Sequence, residues 1–254
     1  MRIRKQVPYR SIGVRGAPYL AALCVLILFC GAVSAQETSP PADAVEDAFE
    51  DTWHYGARLI KFERQYSTSD SEAYNEWAGF IVLGKNPNAF WLTTKGTTKG
   101  GQAEDAEIRL FYSYSFAPHI GVQLGWRRDI EPEPKRDWLG LGLIGVLPFK
   151  IGAEATLFVG ESDRLAARFE IAYRHELSDR LSLTPDLEVN AYSEDDPQTG
   201  AGSGVSDVDL GLRVRYRVIE GLSPYLGMTW KGDLTSTAED TSDLRWLLGV
   251  TAWF

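Results

Sequence analysis

Three histidines and a set of alternating acids are the residues whose types could do chemistry in this sequence. Imidazole and carboxylate are both ligands for divalent metal ions, imidazole being the more selective. His54 sits between Trp53 and Tyr55, where an acidic linker meets the first patterned segment, and is the histidine placed here as a metal ligand. Its competing role is an aromatic ring at a membrane edge. His119 falls in a tight turn, and His175 shares the parity of Tyr173, which gives it an interfacial place. No two histidines have the short spacing of a zinc-enzyme motif. None stands in the neighbourhood that a Ser-His hydrolase requires, so the chain reads as a non-enzyme. Glu188 and Asn190 alternate on one segment, and Asp207 and Asp209 on the next, near its outer end. With His54 these four form the expected metal set and mark a cation path. Glu107, Glu154, Glu170 and Asp186 belong to the same class of alternating acid. Arg109, Arg127, Arg168, Arg174, Arg213, Arg215, Arg217 and Arg245 share that charged face, so ion pairing is the structural alternative for any one acid.

The elements that carry these residues alternate with a period of two. Leu110, Tyr112 and Tyr114 oppose Arg109, Ser113 and Ser115. Val208, Leu210, Leu212 and Val214 oppose Asp207, Asp209, Arg213 and Arg215. Such alternation means strands with one apolar and one charged face. A soluble sandwich would turn the apolar face inward. A membrane barrel would turn it out to lipid. Segments of ten or more residues fit a tilted membrane crossing better than a sandwich strand. Tyr66, Trp77, Trp91, Phe116, Trp126, Trp138, Tyr216 and Trp230 fall near segment ends, where girdles are expected.

The reading is an all-β, antiparallel, up-and-down transmembrane barrel of about 12 strands, over 54–254. Its even connections are tight, as at Pro87, Pro118, Pro148, Ser178 and Gly221. Its odd connections, at 67–74, 96–103, 131–135, 194–203 and 234–240, are expected to be longer, with Glu161-Ser162-Asp163 the one short exception, and to form an acidic outer rim. That rim includes Asp70, Glu72, Glu104, Asp105, Glu131, Glu133, Glu194, Asp195, Asp196, Glu239 and Asp240. It would concentrate cations, or hold divalent ions that bridge lipopolysaccharide. The face Leu244, Trp246, Leu248, Val250, Ala252 and Phe254 resembles the closing strand of such barrels. Pro185 lies inside the ninth strand and predicts a bulge or a position without a ladder bond.

Residues 1–35 read as a cleaved export signal: Arg2, Arg4, Lys5, Arg10 and Arg15, an apolar run from Ala17, then Val33-Ser34-Ala35. The alternative is an uncleaved anchor helix. Residues 36–53 read as a periplasmic acidic linker. The chain's net charge is −9, and the signal removes five bases and no acid. Both cysteines, Cys24 and Cys30, leave with it, which excludes disulfides and thiolate metal sites. The acidic balance excludes a nucleic-acid binder. The location implied is the outer membrane of a Gram-negative bacterium, in contact with its lipid and lipopolysaccharide.

The run from Leu183-Thr184-Pro185-Asp186 through Asp195-Asp196-Pro197 to Gly211-Leu212-Arg213-Val214-Arg215-Tyr216 resembles the outer-membrane copper resistance protein B family. Phe90-Trp91-Leu92, Pro224-Tyr225 and Val250-Thr251-Ala252-Trp253-Phe254 add to the resemblance, which covers 54–254. It implies a barrel that binds copper ions or passes them across the outer membrane. A passive pore without metal specificity is the competing function. The resemblance also suggests a periplasmic multicopper oxidase as a partner, which an adjacent oxidase gene would support. Many members carry a Met- and His-rich N-terminal segment. Here that segment is acidic, and Met228 is the one methionine besides Met1. Any copper site must therefore rest on His54 and carboxylates, which favour copper(II) over copper(I).

Overall fold

The structure is a computed structural model and describes residues 53–234 and 241–253. The expected signal, the linker up to Thr52, the Glu239-Asp240 rim pair, the Phe254 terminus and the His54 side chain lie outside the described residues. Thirteen strand segments follow one another. They are β1 (Trp53–Ser67), β2 (Ala73–Lys85), β3 (Asn88–Lys99), β4 (Gln102–Ala117), β5 (Ile120–Glu131), β6 (Arg136–Leu147) and β7 (Ile151–Gly160). Then come β8 (Leu165–Tyr173), β9 (His175–Glu176), β10 (Leu181–Tyr192), β11 (Gly204–Tyr216), β12 (Leu222–Asp233) and β13 (Thr241–Trp253). β8 and β9 both pair with β10 and are two pieces of one stave, which leaves 12 staves. Each stave pairs antiparallel with its sequence neighbour, and β13 returns to β1, for example Arg58 opposite Trp253. The sheet is closed and has no free edge.

Packing is inverted relative to a soluble protein. Leu139, Leu157 and Leu226 are 60%, 66% and 65% exposed, whereas Arg168 is 5% and Arg213 0% exposed. A lone charge in the interior is costly, so such burial requires partners. Exposed leucines around a full belt are tolerable where lipid, not water, is the neighbour. The parity read from the sequence is the observed one: Leu110, Leu210 and Leu212 face out, Arg109 and Arg213 face in.

Three features differ from the sequence reading. Trp91 and Trp138 are not girdle residues. They are buried with Phe80, Phe111 and Phe158 as an aromatic wall inside the barrel. Space for it comes from glycines on neighbouring strands: a Cβ on Gly140 would stand 2.6 Å from the Phe111 ring. Second, 96–103 is not a long loop. β3 and β4 run on to a tight turn at Gly100-Gly101, whose φ angles of 56° and 84° are those of a primed hairpin turn that glycine adopts freely. Glu104 and Asp105 therefore lie on β4 and not on a loop. Third, the odd connections at 68–72 and 132–135 are no longer than the even connection at 217–221. Pro185 meets the second of its two expectations, a position without a ladder bond, and makes no bulge. The register between β10 and the β8/β9 stave runs unshifted from Leu183 opposite His175 to Asp186 opposite Ala172. The ladder simply skips the rungs between, where β8 and β9 part, so the missing N–H falls in a gap.

Candidate functional site: the charged lumen

Inward-facing residues enclose a cavity of about 1240 Å³. Acids outnumber bases along its wall by seventeen to ten, and among the described residues no histidine, methionine or cysteine lines it. Among the described residues no group of three or more His, Cys, Asp or Glu has metal-holding geometry.

The register builds an acidic belt that the sequence pattern alone did not reveal. Glu154 faces Glu170, Glu170 faces Glu188, and Glu188 faces Asp209, on the four neighbouring staves β7, β8, β10 and β11. Like charges directly opposite one another are destabilising. Cations from other strands offset them. Lys95 of β3 reaches Glu188 at 2.5 Å and Glu170 at 3.8 Å. Arg109 donates to Glu154 at 3.0 Å, and Lys231 lies 3.1 Å from Asp209. The alternation of β10 and β11 carried enough signal to place Glu188 and Asp209. Lys95 had none, because its partners are remote in sequence.

Four of the five expected metal residues can be located. Asn190 Nδ2 donates to Glu188 Oε1 at 3.0 Å and to Asp207 Oδ1 at 2.7 Å, which brings those three together. Asp209 sits one rung away and accepts from the Thr229 hydroxyl as well as pairing with Lys231. The backbone of His54 pairs with Gly84 at the end of the barrel that carries the termini. The other four line the cavity reached from the opposite, loop-bearing end. His119 is exposed in its turn with φ 64°. His175 is exposed with Tyr173 Oη 3.3 Å from its Nδ1.

Two further knots brace the wall. The Arg168 guanidinium donates to both oxygens of Glu107, at 2.7 and 2.9 Å, and to Asn190 at 2.7 Å. Arg127 lies 3.1 Å from the same carboxylate and stacks over the Phe158 ring at 5.1 Å. On the other side Arg213 donates to Glu63 at 2.6 Å and to Asp186, and the Tyr225 hydroxyl donates to Glu63 at 3.0 Å. These pairs are the structural alternative set out above, and with the Arg109–Glu154 contact they engage four of the eight arginines named for the charged face.

At the loop end several acids are already satisfied by the protein. Lys99 hydrogen-bonds Asp70 and brings its carboxyl down to about 2. The Ser203 backbone N–H, 2.7 Å away, lowers Asp195. Partial burial would raise Asp196, but hydrogen bonds from Arg136 and from the Gln198 N–H, with Arg164 beside them, bring it below the ordinary value.

A closed antiparallel sheet with an even stave count, a lipid-compatible exterior and a charged interior is an outer-membrane β-barrel. Residues 54–254 match the family model for the copper resistance protein B precursor (CopB), and the chain belongs to that family. A copper resistance protein B homolog of Pseudomonas syringae pv. tomato is 32% identical over 201 residues, 76% of this chain and 68% of that protein. Copper resistance protein B of Escherichia coli is 31% identical over 197 residues, 75% of this chain and 67% of that one. In fold, the chain is similar to the NanC porin, with TM-score 0.54 at 9% identity, covering 78% of this chain and 99% of that one. That likeness speaks to the barrel alone. The protein is thus an outer-membrane barrel with a role in copper resistance.

Proposed function

We propose that the barrel is a non-enzymatic carrier or holder of copper(II), and that the Glu154–Glu170–Glu188–Asp209 belt is where the cation sits. Copper here is cargo. The observation that carries the reading is Lys95: an ammonium held between Glu170 and Glu188 marks a place where the lumen already accommodates a positive charge. Copper(II) would displace that ammonium and take carboxylate oxygens from Glu188 and Asp209, with Asp207 and Asn190 on the neighbouring rung. Oxygen donors without thioether or thiolate favour copper(II) over copper(I). His54 is a second ligand position at the opposite end, near the start of β1. Exchange of copper with a periplasmic multicopper oxidase and contact with lipopolysaccharide belong to the same reading.

Calorimetry of copper(II) binding by the refolded barrel tests it. Glu188→Gln with Asp209→Asn should weaken binding about tenfold or more, a change of about 1.4 kcal/mol. Lys95→Gln should tighten it, because the resident cation is gone. Unchanged affinity in both variants removes the belt as the site. His54→Ala separates the second position: a loss confined to that variant would move the site to the linker end. In cells, a copper-sensitive deletion strain should be rescued by the wild type and poorly by the belt variant.

A further inference from the structure

The lumen changes character toward the end that carries the termini. There Arg215 is 5% exposed, and its Nε and Nη1 are buried with no hydrogen-bond partner. Ser182 and Thr184 are 2% and 3% exposed, and both hydroxyls are likewise unpartnered. Register brings these groups together. Ser182 stands directly opposite Arg215, and Thr184 opposite Arg213, across the β10–β11 ladder. Arg174 Nε, in the gap between β8 and β9 on the other side of β10, is a further buried donor without a hydrogen bond.

The nearby acids are spoken for or distant. Asp186 accepts from Arg213, and Glu63 accepts from Arg213 and Tyr225. Glu176 lies 3.8 Å from Arg174 and is exposed. The one aromatic contact of Arg215 is the Tyr225 ring, 5.1 Å from its guanidinium carbon. A buried guanidinium and two buried hydroxyls without acceptors constitute a donor set with no acceptor inside the protein. Arg215 and Thr184 also border the cavity, so a ligand can arrive from it.

We infer that Arg215, Ser182 and Thr184 bind a small inorganic oxyanion of the sulfate or phosphate class. Donors set opposite one another on two neighbouring strands suit the several lone pairs of an oxyanion. The site is independent of the copper reading and lies on a different part of the wall from the acidic belt.

Selenate is the probe. Crystals of the refolded barrel, grown without sulfate or phosphate, would be soaked in selenate and examined for selenium anomalous signal. A peak within hydrogen-bond reach of Arg215 and Ser182, absent in Arg215→Gln, is the expected result. Water alone at that place in the wild type overturns the inference, as does an equal peak in Arg215→Gln. If Arg215→Gln does not assemble, Ser182→Ala with Thr184→Val keeps the guanidinium. Selenate occupancy should then fall at the same soak, and unchanged occupancy counts against the site. In solution, calorimetric affinity for sulfate should drop about tenfold in the double variant.

Discussion

Arg213 donates to Glu63 and Asp186 from a position with no solvent exposure, while its chain neighbour Leu212 is 38% exposed on the outer face. One step along a strand thus reverses what a side chain must satisfy. Arg213→Leu strands the buried Glu63 carboxylate with only Gln65 and Tyr225 as donors. The expected cost is about 3–5 kcal/mol, read from urea unfolding of the refolded barrel. Adding Glu63→Leu should recover much of that loss, because the uncompensated charge leaves too. Leu212→Arg should cost about 2–4 kcal/mol for the opposite reason, a charge facing hydrocarbon. Normal stability of Leu212→Arg would mean that this face does not meet lipid. The in-or-out assignment of both residues was legible in the strict alternation of 208–216. The pairing was not, because Glu63 lies on β1 and only barrel closure brings it to β11. Trp91 and Trp138 show the matching weakness. An aromatic near a segment end suits a girdle or a lumen wall equally well, and only its parity against Leu92 and Leu139 decides.

At the scale of elements, strands were readable and connections less so. Strand pairing continues through Thr97, Thr98 and Lys99, but three glycines and four threonines over 93–101 look like a loop in composition. The turn at Gly100-Gly101 places Lys99 beside the loop between β1 and β2, where it bonds Asp70. Tyr74 adds a ring under the same ammonium at 5.1 Å. The sign of the pH effect follows from the depressed carboxyl. The ordinary value near 3.9 holds in the unfolded chain, so the contact stabilises the fold fully above about pH 4. It is lost as pH falls toward 2, where Asp70 protonates in the folded state. A carboxyl-carbon NMR titration should find Asp70 well below other exposed aspartates, and Lys99→Met should return it to their range. An ordinary value in the wild type would mean that the tether does not form. Pro185 is legible in the other direction. A missing donor demanded a place without a ladder bond, and the break between β8 and β9 supplies one.

Across the whole molecule the decisive quantity is the distribution of charge along a closed tube. Acids prevail from the loop end through the Glu154–Asp209 belt, whereas toward the chain termini the buried Arg215 has no hydrogen-bond acceptor at Nε or Nη1. A cation entering from the loop end is drawn by fixed negative charge held in a narrow, poorly screened space. The same charge opposes anions, so the barrel in a planar bilayer should be cation-selective under a potassium chloride gradient. Selectivity should be greatest at low ionic strength, because the screening length shrinks from about 30 Å at 0.01 M salt to about 3 Å at 1 M. Glu188→Gln with Asp209→Asn removes two belt charges while leaving Arg109, Lys95 and Lys231 in place. Its reversal potential should move toward that of a non-selective pore. Lys95→Gln should move it the other way, by exposing Glu170 and Glu188. Opposite shifts from the two variants would tie selectivity to the belt and not to the acidic rim. Equal behaviour of both with wild type would place the selective region at the rim, where Asp195 and Asp196 already hold protein donors.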